Sequence, residues 1–256
     1  MVMAPIALFA VWVGGLLFDG LVAAAAAVMA WEWGQLIHVS SGRRRSPYQA
    51  VLGFLVVLVA GLEGYGTALV VFIIGLVVLD RLEPGEPRPR ELWSTGGLIW
   101  ITLPCIGLVW LRHDPDDGAQ MVFWILATAW ATDIAAYAVG RTVGGPRLAP
   151  RISPAKTWSG LAGGVVASAL VGCAASLATG GHHWLALAVI GAGLAVVEQL
   201  GDLAESYAKR RFGAKDSGSL IPGHGGLLDR LDGMLAVIIA VILLDRGLGE
   251  SVLLWR

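Results

Sequence analysis

The residues best suited to chemistry crowd into one stretch near the C-terminal end, 198–232. Helical spacing sets Glu198, Asp202 and Ser206 along one face, with Lys209 or Arg210 one turn further on. Asp229 and Asp232 form a second acidic pair three residues apart. On a helix such a pair shares a face, so the two carboxylates can converge on one cation. Between these groups lie Lys215, Asp216, Pro222 and His224, with Gly223, Gly225 and Gly226 around the histidine. Glycines there let backbone N–H groups approach an anion closely. Acids beside several Lys and Arg suit a metal-bound polyphosphate. The acids hold Mg²⁺, which takes oxygen ligands and shares them with phosphates, and the bases neutralise the remaining phosphate oxygens. A solvated loop of interlocked ion pairs would account for any single Lys or Arg. It accounts less well for Asp202, Asp229 and Asp232, because acids entering apolar segments are expensive there.

A second polar stretch spans 130–160. Asp133 interrupts an apolar run about two turns from its end, which is costly unless it faces a polar cavity or a cation. The following loop holds Arg141, Arg147, Arg151 and Lys156, then Thr157 and Trp158, among glycines and prolines. Elsewhere the signals are weaker. Glu32, between Trp31 and Trp33, reads as a headgroup-level residue or a pairing group. His182 and His183 read as an ordinary turn. No GxxxxGK[ST] loop occurs, and Gly61, Gly64 and Gly66 do not form a dinucleotide turn after a strand.

These residues must be positioned by membrane helices. Of 256 residues, 56% are hydrophobic and 14% charged, against roughly 25% charged in a soluble domain. That balance excludes disorder, a coiled coil and a nucleic-acid arm, and the net charge of −1 points to no polyanionic partner. The apolar residues fall in blocks separated by charges. Spans are expected near 5–18, 20–37, 49–62, 66–79, 93–110, 120–139, 159–178, 183–200 and 233–246. Only Asp19 and Gly20 separate the first two, so the count is nine or eight. The expected fold is an all-α polytopic transmembrane bundle, its N-terminus cytoplasmic if the spans are nine. The chain reads as one integral membrane domain, with N-terminal spans over 1–119 and a catalytic half over 120–256. Cys105 and Cys173 lie alone in apolar surroundings, suggesting neither a zinc site nor a disulfide framework.

Alternation puts loops 38–48, 80–92, 140–158 and 201–232 on one face. Those loops carry 15 of the 18 basic residues, a bias that marks the cytoplasmic side. The expected place is therefore a cytoplasmic (inner) membrane, multi-pass, with the chemistry at its cytoplasmic surface in loops 140–158 and 201–232.

The pattern Ser206-x-x-Lys209-Arg210-x4-Lys215-Asp216-x-Gly218-x3-Pro222-x-His224-Gly225-Gly226-x-x-Asp229-Arg230-x-Asp232 resembles the signature of the phosphatidate cytidylyltransferase (CDP-diacylglycerol synthase) family. The upstream Asp133, Ala136-Tyr137, Gly140-Arg141 and Pro150-Arg151-Ile152-Ser153-Pro154-x-Lys156-Thr157-Trp158 resemble it too. The N-terminal half agrees mainly in hydropathy and in Trp31-Glu32. Two positions depart. Ala208 replaces a larger aliphatic residue, which reads as a packing change, and Ser159 stands where Glu commonly follows Lys-Thr-Trp.

The resemblance implies transfer of CMP from CTP to phosphatidic acid, giving CDP-diacylglycerol and pyrophosphate, with Mg²⁺ as cofactor and a second metal ion or K⁺ left open. It implies metal ligation by Asp202, Asp229 and Asp232, with Lys215 and His224 also catalytic. Ser206, Lys209, Arg210, Asp216, Arg230, Lys156, Arg151 and Asp133 would bind substrate. Its partners would be CTP, phosphatidic acid and the lipid bilayer, with no nucleic acid, and it suggests a homodimer. The alternatives are a CTP-dependent polyprenol or phytol kinase, or an ion-coupled transporter using Asp133, Glu198 and Asp202. The polar groups crowd one edge without continuing to the other, which disfavours a transport path.

Overall fold

A computed structural model describes residues 3–38, 45–82, 88–180, 183–218, 225–248 and 251–253. Those residues form nine helices and one hairpin. The helices are α1 (Met3–Val13), α2 (Gly15–His38), α3 (Arg45–Glu63), α4 (Tyr65–Leu82), α5 (Arg88–Arg112), α6 (Gly118–Thr142), α7 (Trp158–Ala178), α8 (Trp184–Arg211) and α9 (Leu228–Leu248). Seven of them, α2 to α8, are long and apolar enough to cross a membrane. The protein is an all-α, multi-pass membrane protein.

The first break falls elsewhere than Asp19 and Gly20. Gly14 and Gly15 have φ of +69° and +54°, the left-handed region that glycine enters without steric penalty. α1 therefore ends after 11 residues, about 16 Å at 1.5 Å per residue, too short to span a bilayer core of about 30 Å. Arg112 caps its end, donating from Nε to the Val11 carbonyl at 2.7 Å. Asp19 lies inside α2, buried, with one carboxylate oxygen 3.2 Å from Nε2 of His113.

The backbone groups into two compact units, residues 1–113 with 211–231, and 114–210 with 232–256. Segment 211–231 packs in the first unit. Within that unit, α2 and α5 approach so closely that a Cβ on Gly97 would overlap the Trp33 indole. Trp33 Nε1 donates to the Trp93 carbonyl at 3.0 Å and Gln49 Nε2 to Ser94 Oγ at 2.6 Å. Side-chain hydrogen bonds and small residues of this kind hold helices together where lipid is as apolar as the side chains. α4 buries only Ala68 and Phe72 and exposes Val70, Ile73, Ile74 and Val77, as a lipid-facing helix does.

In the second unit, α7 buries a small residue every fourth position: Gly160, Gly164, Ser168, Gly172 and Ser176. This stripe brings backbones together on both sides. A Cβ on Gly164 would lie 2.9 Å from the Thr132 methyl group of α6, and one on Gly191 of α8 would lie 2.5 Å from the Ser168 carbonyl. Ser168 Oγ donates to the Gly191 carbonyl at 2.6 Å.

The loop 140–158 contains structure not expected from its sequence. β1 (Arg147–Ala149) and β2 (Ser153–Thr157) form an antiparallel pair, with Arg147 opposite Thr157 and Ala149 opposite Ser153. The Ile152 N–H donates to the Ala149 carbonyl at 3.1 Å, closing a four-residue turn with Pro150 at its second position, where a fixed φ suits it. Strands of three and five residues are too short to show an alternating pattern.

Candidate active site

The hairpin is held to the helices on either side of it. Thr157, in extended conformation, caps α7 by accepting the Gly160 N–H at 3.1 Å. Ser159 hydrogen-bonds the Gly144 carbonyl and contacts Thr157 Oγ1 at 3.0 Å. The serine that replaces the expected Glu is thus a brace between α7 and the glycine turn after α6.

Between this hairpin, α6 and α8 opens a cleft of about 550 Å³. Asp133, Arg141, Arg147, Lys156, Gln199 and Asp202 are among its lining residues. Three residues singled out from sequence, Asp133, Lys156 and Asp202, therefore face one space. Asp133 escapes the burial penalty of an apolar helix because it opens on this cleft. Lys156 forms an ion pair with Asp202, and the other Asp202 oxygen accepts the Ser206 hydroxyl at 3.2 Å. Arg210 donates from Nε to the Ile152 carbonyl at 3.4 Å, tying the end of α8 to the hairpin turn. Arg151 is exposed in that turn and is not among the cleft-lining residues. Arg141 donates to the Tyr137 hydroxyl at 2.7 Å, one helical turn away.

Lys209 is not among the cleft-lining residues. It is buried and lies 3.4 Å from Glu205, one turn before it. Asp232 lies in the electrostatic field of both Glu205 and Asp202. The sequence reading passed over Glu205, although 198, 202, 205 and 209 repeat at helical spacing and mark it as part of that face. The approach of α9 to α8 depends on glycine. A Cβ on Gly201 would lie 3.2 Å from the Asp232 carbonyl, and one on Gly233 would lie 2.7 Å from Glu198 Cγ. Ala208 is buried, consistent with a packing role.

Carboxylates gather in a low-dielectric setting when a cation or a shared proton joins them. Mg²⁺ commonly takes only one or two protein carboxylates and completes its shell with substrate phosphate and water, and Asp202 and Asp232, which lie in each other's field, are the pair that could contribute them. Among the described residues, no three His, Cys, Asp or Glu side chains form a ready-made metal cage.

The first unit holds the rest of the signature. Both oxygens of Asp229 accept the Ser217 N–H, at 3.0 and 2.9 Å, and Oδ2 also accepts the Gly226 N–H at 2.8 Å. Asp229 thereby folds the segment back onto the first turn of α9. Phe212 meets Trp93 edge-on, ring centroids 5.7 Å apart, anchoring the start of the segment. Lys215, Asp216 and Arg230 are exposed. His224, with Pro222, lies outside the described residues. Glu32, read from sequence as a pairing or headgroup-level residue, is buried against this segment. It accepts the Leu227 and Leu228 N–H groups at 2.9 and 2.8 Å.

Fold and site together define a multi-pass helical membrane protein with a polar, charge-lined cleft. The model of the cytidylyltransferase family matches residues 1–246. Over 238 residues the chain is 39% identical to a phosphatidate cytidylyltransferase of Brucella suis, covering 92% of this chain and 86% of that protein. It is 35% identical over 248 residues to one of Pseudomonas aeruginosa, covering 93% and 91%, and 30% identical over 239 residues to one of Haemophilus influenzae, covering 81% and 82%. The chain belongs to the cytidylyltransferase family and is a nucleotidyltransferase.

Proposed function

We propose that the protein transfers CMP from CTP to phosphatidate, giving CDP-diacylglycerol and pyrophosphate, at the cytoplasmic surface of the membrane. The relatives named phosphatidate cytidylyltransferase support the substrates. The observation that carries the reading is the single cleft onto which Arg141, Arg147 and Lys156 open together with Asp133 and Asp202. Such a lining suits a substrate rich in phosphate.

In this reaction an oxygen of the lipid phosphate attacks the α-phosphorus of CTP. A new P–O bond forms, the bond from that phosphorus to the β-bridging oxygen breaks, and pyrophosphate leaves with the electron pair. The second ionisation of a phosphomonoester lies near pH ~6, so the nucleophile is already charged at neutral pH and no strong base is required. The obstacle is to bring two polyanions together and to stabilise the departing one, which is done by positioning and electrostatics. Lys156, held in place by Asp202, supplies a fixed positive charge, and Arg141 and Arg147 add to the field. Lys215 and Arg230, exposed on the signature segment, are assigned to further phosphate contacts. Asp202 and Asp232 would hold Mg²⁺, which would neutralise charge on the triphosphate. We assign Asp229, whose oxygens are taken up by backbone N–H groups, to holding the signature segment in shape.

The test is CTP labelled at the α- or the γ-phosphate, given to purified protein with phosphatidate in mixed micelles, with and without EDTA. Label from the α-phosphate is expected in lipid, label from the γ-phosphate in pyrophosphate, and both only without EDTA. Lipid labelled from the γ-phosphate would mean a CTP-dependent lipid kinase. Lipid labelled from neither position would remove both readings, and transfer that survives EDTA would remove the metal.

A further inference from the structure

Glu32 lies some two hundred residues from the signature in sequence, yet its carboxylate is the point onto which the end of that segment closes. It is 4% exposed. Oε1 accepts the Leu227 N–H at 2.9 Å, Oε2 accepts the Leu228 N–H at 2.8 Å, and Ser217 Oγ lies 3.5 Å from Oε2. The first N–H groups of a helix have no partner within it, and a carboxylate there is also favoured by the helix dipole. Glycine lets the segment approach. A Cβ on Gly218 would stand 2.7 Å from Glu32 Oε1, and one on Gly226 would stand 2.7 Å from Oε2. Asp229 binds the Ser217 and Gly226 N–H groups from within the segment, while Glu32 binds the next two from α2.

We propose that Glu32 is a positioning residue for nucleotidyl transfer: its two oxygens fix the start of α9, with Ser217, Gly218 and Gly226 packed against them, and so set where Asp229 and the residues beside it stand. The proposal rests on the nucleotidyl-transfer reading. It assigns Glu32 no contact with substrate. A carboxylate is required, because only two equivalent acceptors satisfy two adjacent N–H groups; a glutamine turns its NH₂ toward one of them.

The experiment compares wild type with Glu32→Gln, Glu32→Asp and Gly226→Ala in detergent, reading kcat and KM for CTP together with hydrogen–deuterium exchange by peptide. For Glu32→Gln the expected results are a fall in kcat of about a hundredfold, the scale of a misplacement of about 1 Å, with KM for CTP changed far less. Faster exchange should be confined to peptides covering 211–231. Glu32→Asp keeps two acceptors and should recover part of kcat. Gly226→Ala crowds the same carboxylate from the other side and should reproduce the Gln variant, which decides the matter if Glu32→Gln does not fold. Wild-type kcat in a folded Glu32→Gln variant would overturn the proposal, as would exchange rising equally throughout α2 to α5. A wild-type protein that transfers no label from CTP would instead sink the reaction, while local exchange would still report the clasp.

Discussion

Two carboxylates of the signature, one turn apart on the same helix, have different surroundings. Asp232 faces other acids, and Asp229 is saturated with backbone donors. Their amide variants should therefore fail differently. Asp202→Asn and Asp232→Asn should lower turnover by about a hundredfold, the usual effect of losing one electrostatic group, and should raise the Mg²⁺ concentration needed for half-maximal activity. Asp229→Asn should lower turnover without moving that concentration. A magnesium titration of each variant checks this, and an equal shift in all three would return Asp229 to the metal. Asp117, just before α6, makes a different point. Burial raises its carboxyl above the ordinary value of 3.8, against the lowering effect of a Ser251 hydrogen bond, and Asp114, Asp245 and Asp116 raise it further. A raised folded-state pKa means that its contribution to stability is complete below the unfolded value and is lost as pH rises through the folded one. Asp117→Asn should thus raise the melting temperature at pH 7 and leave it nearly unchanged near pH 3, as read by thermal unfolding in detergent.

At the scale of elements, glycine and serine decide where helices can meet. The stripe on α7 and the contact of Gly97 with Trp33 place backbones at distances that no larger side chain permits. Gly97→Ala should destabilise the protein by about 1–3 kcal/mol, the cost of overpacking a filled interior. Its melting temperature relative to wild type tests that, and an unchanged value would show that α2 and α5 can separate freely. The hairpin is the other decisive element. It puts Arg147 and Lys156 from its strands on the wall of the cleft, beside Arg141 from the end of α6.

At the scale of the molecule, the proposed orientation places the cleft on the cytoplasmic side, on the strength of the one-sided distribution of Lys and Arg along the sequence. CTP does not cross a bilayer. Inverted membrane vesicles should therefore incorporate label from external CTP at full rate, and sealed right-side-out vesicles only after permeabilisation. Equal rates in both sealed preparations would contradict the orientation. The comparison is independent of the site assignments, because it asks only which face admits the nucleotide.

Membrane burial, the approximate helix limits and the family were legible in the chain itself. Hydrophobic blocks and a dense local motif are properties of adjacent residues. Asp133, Lys156 and Asp202 were also legible as candidates, since a charge in or beside an apolar run is conspicuous. Their meeting in one cleft was not, because it depends on how closely glycine lets helices approach. The helix break at Gly14, rather than Asp19, turned on backbone conformation and on a His113 partner distant in sequence. The pairing of Lys209 with Glu205 one turn before it followed from helical spacing, but the burial of both did not. Glu32 carried too little local signal to be placed, since its partners are backbone N–H groups, which every residue but proline offers. Local composition therefore determined what kind of protein this is and which residues could react. Only tertiary structure decided which oxygens remain available, because a carboxylate acts according to the donors that surround it.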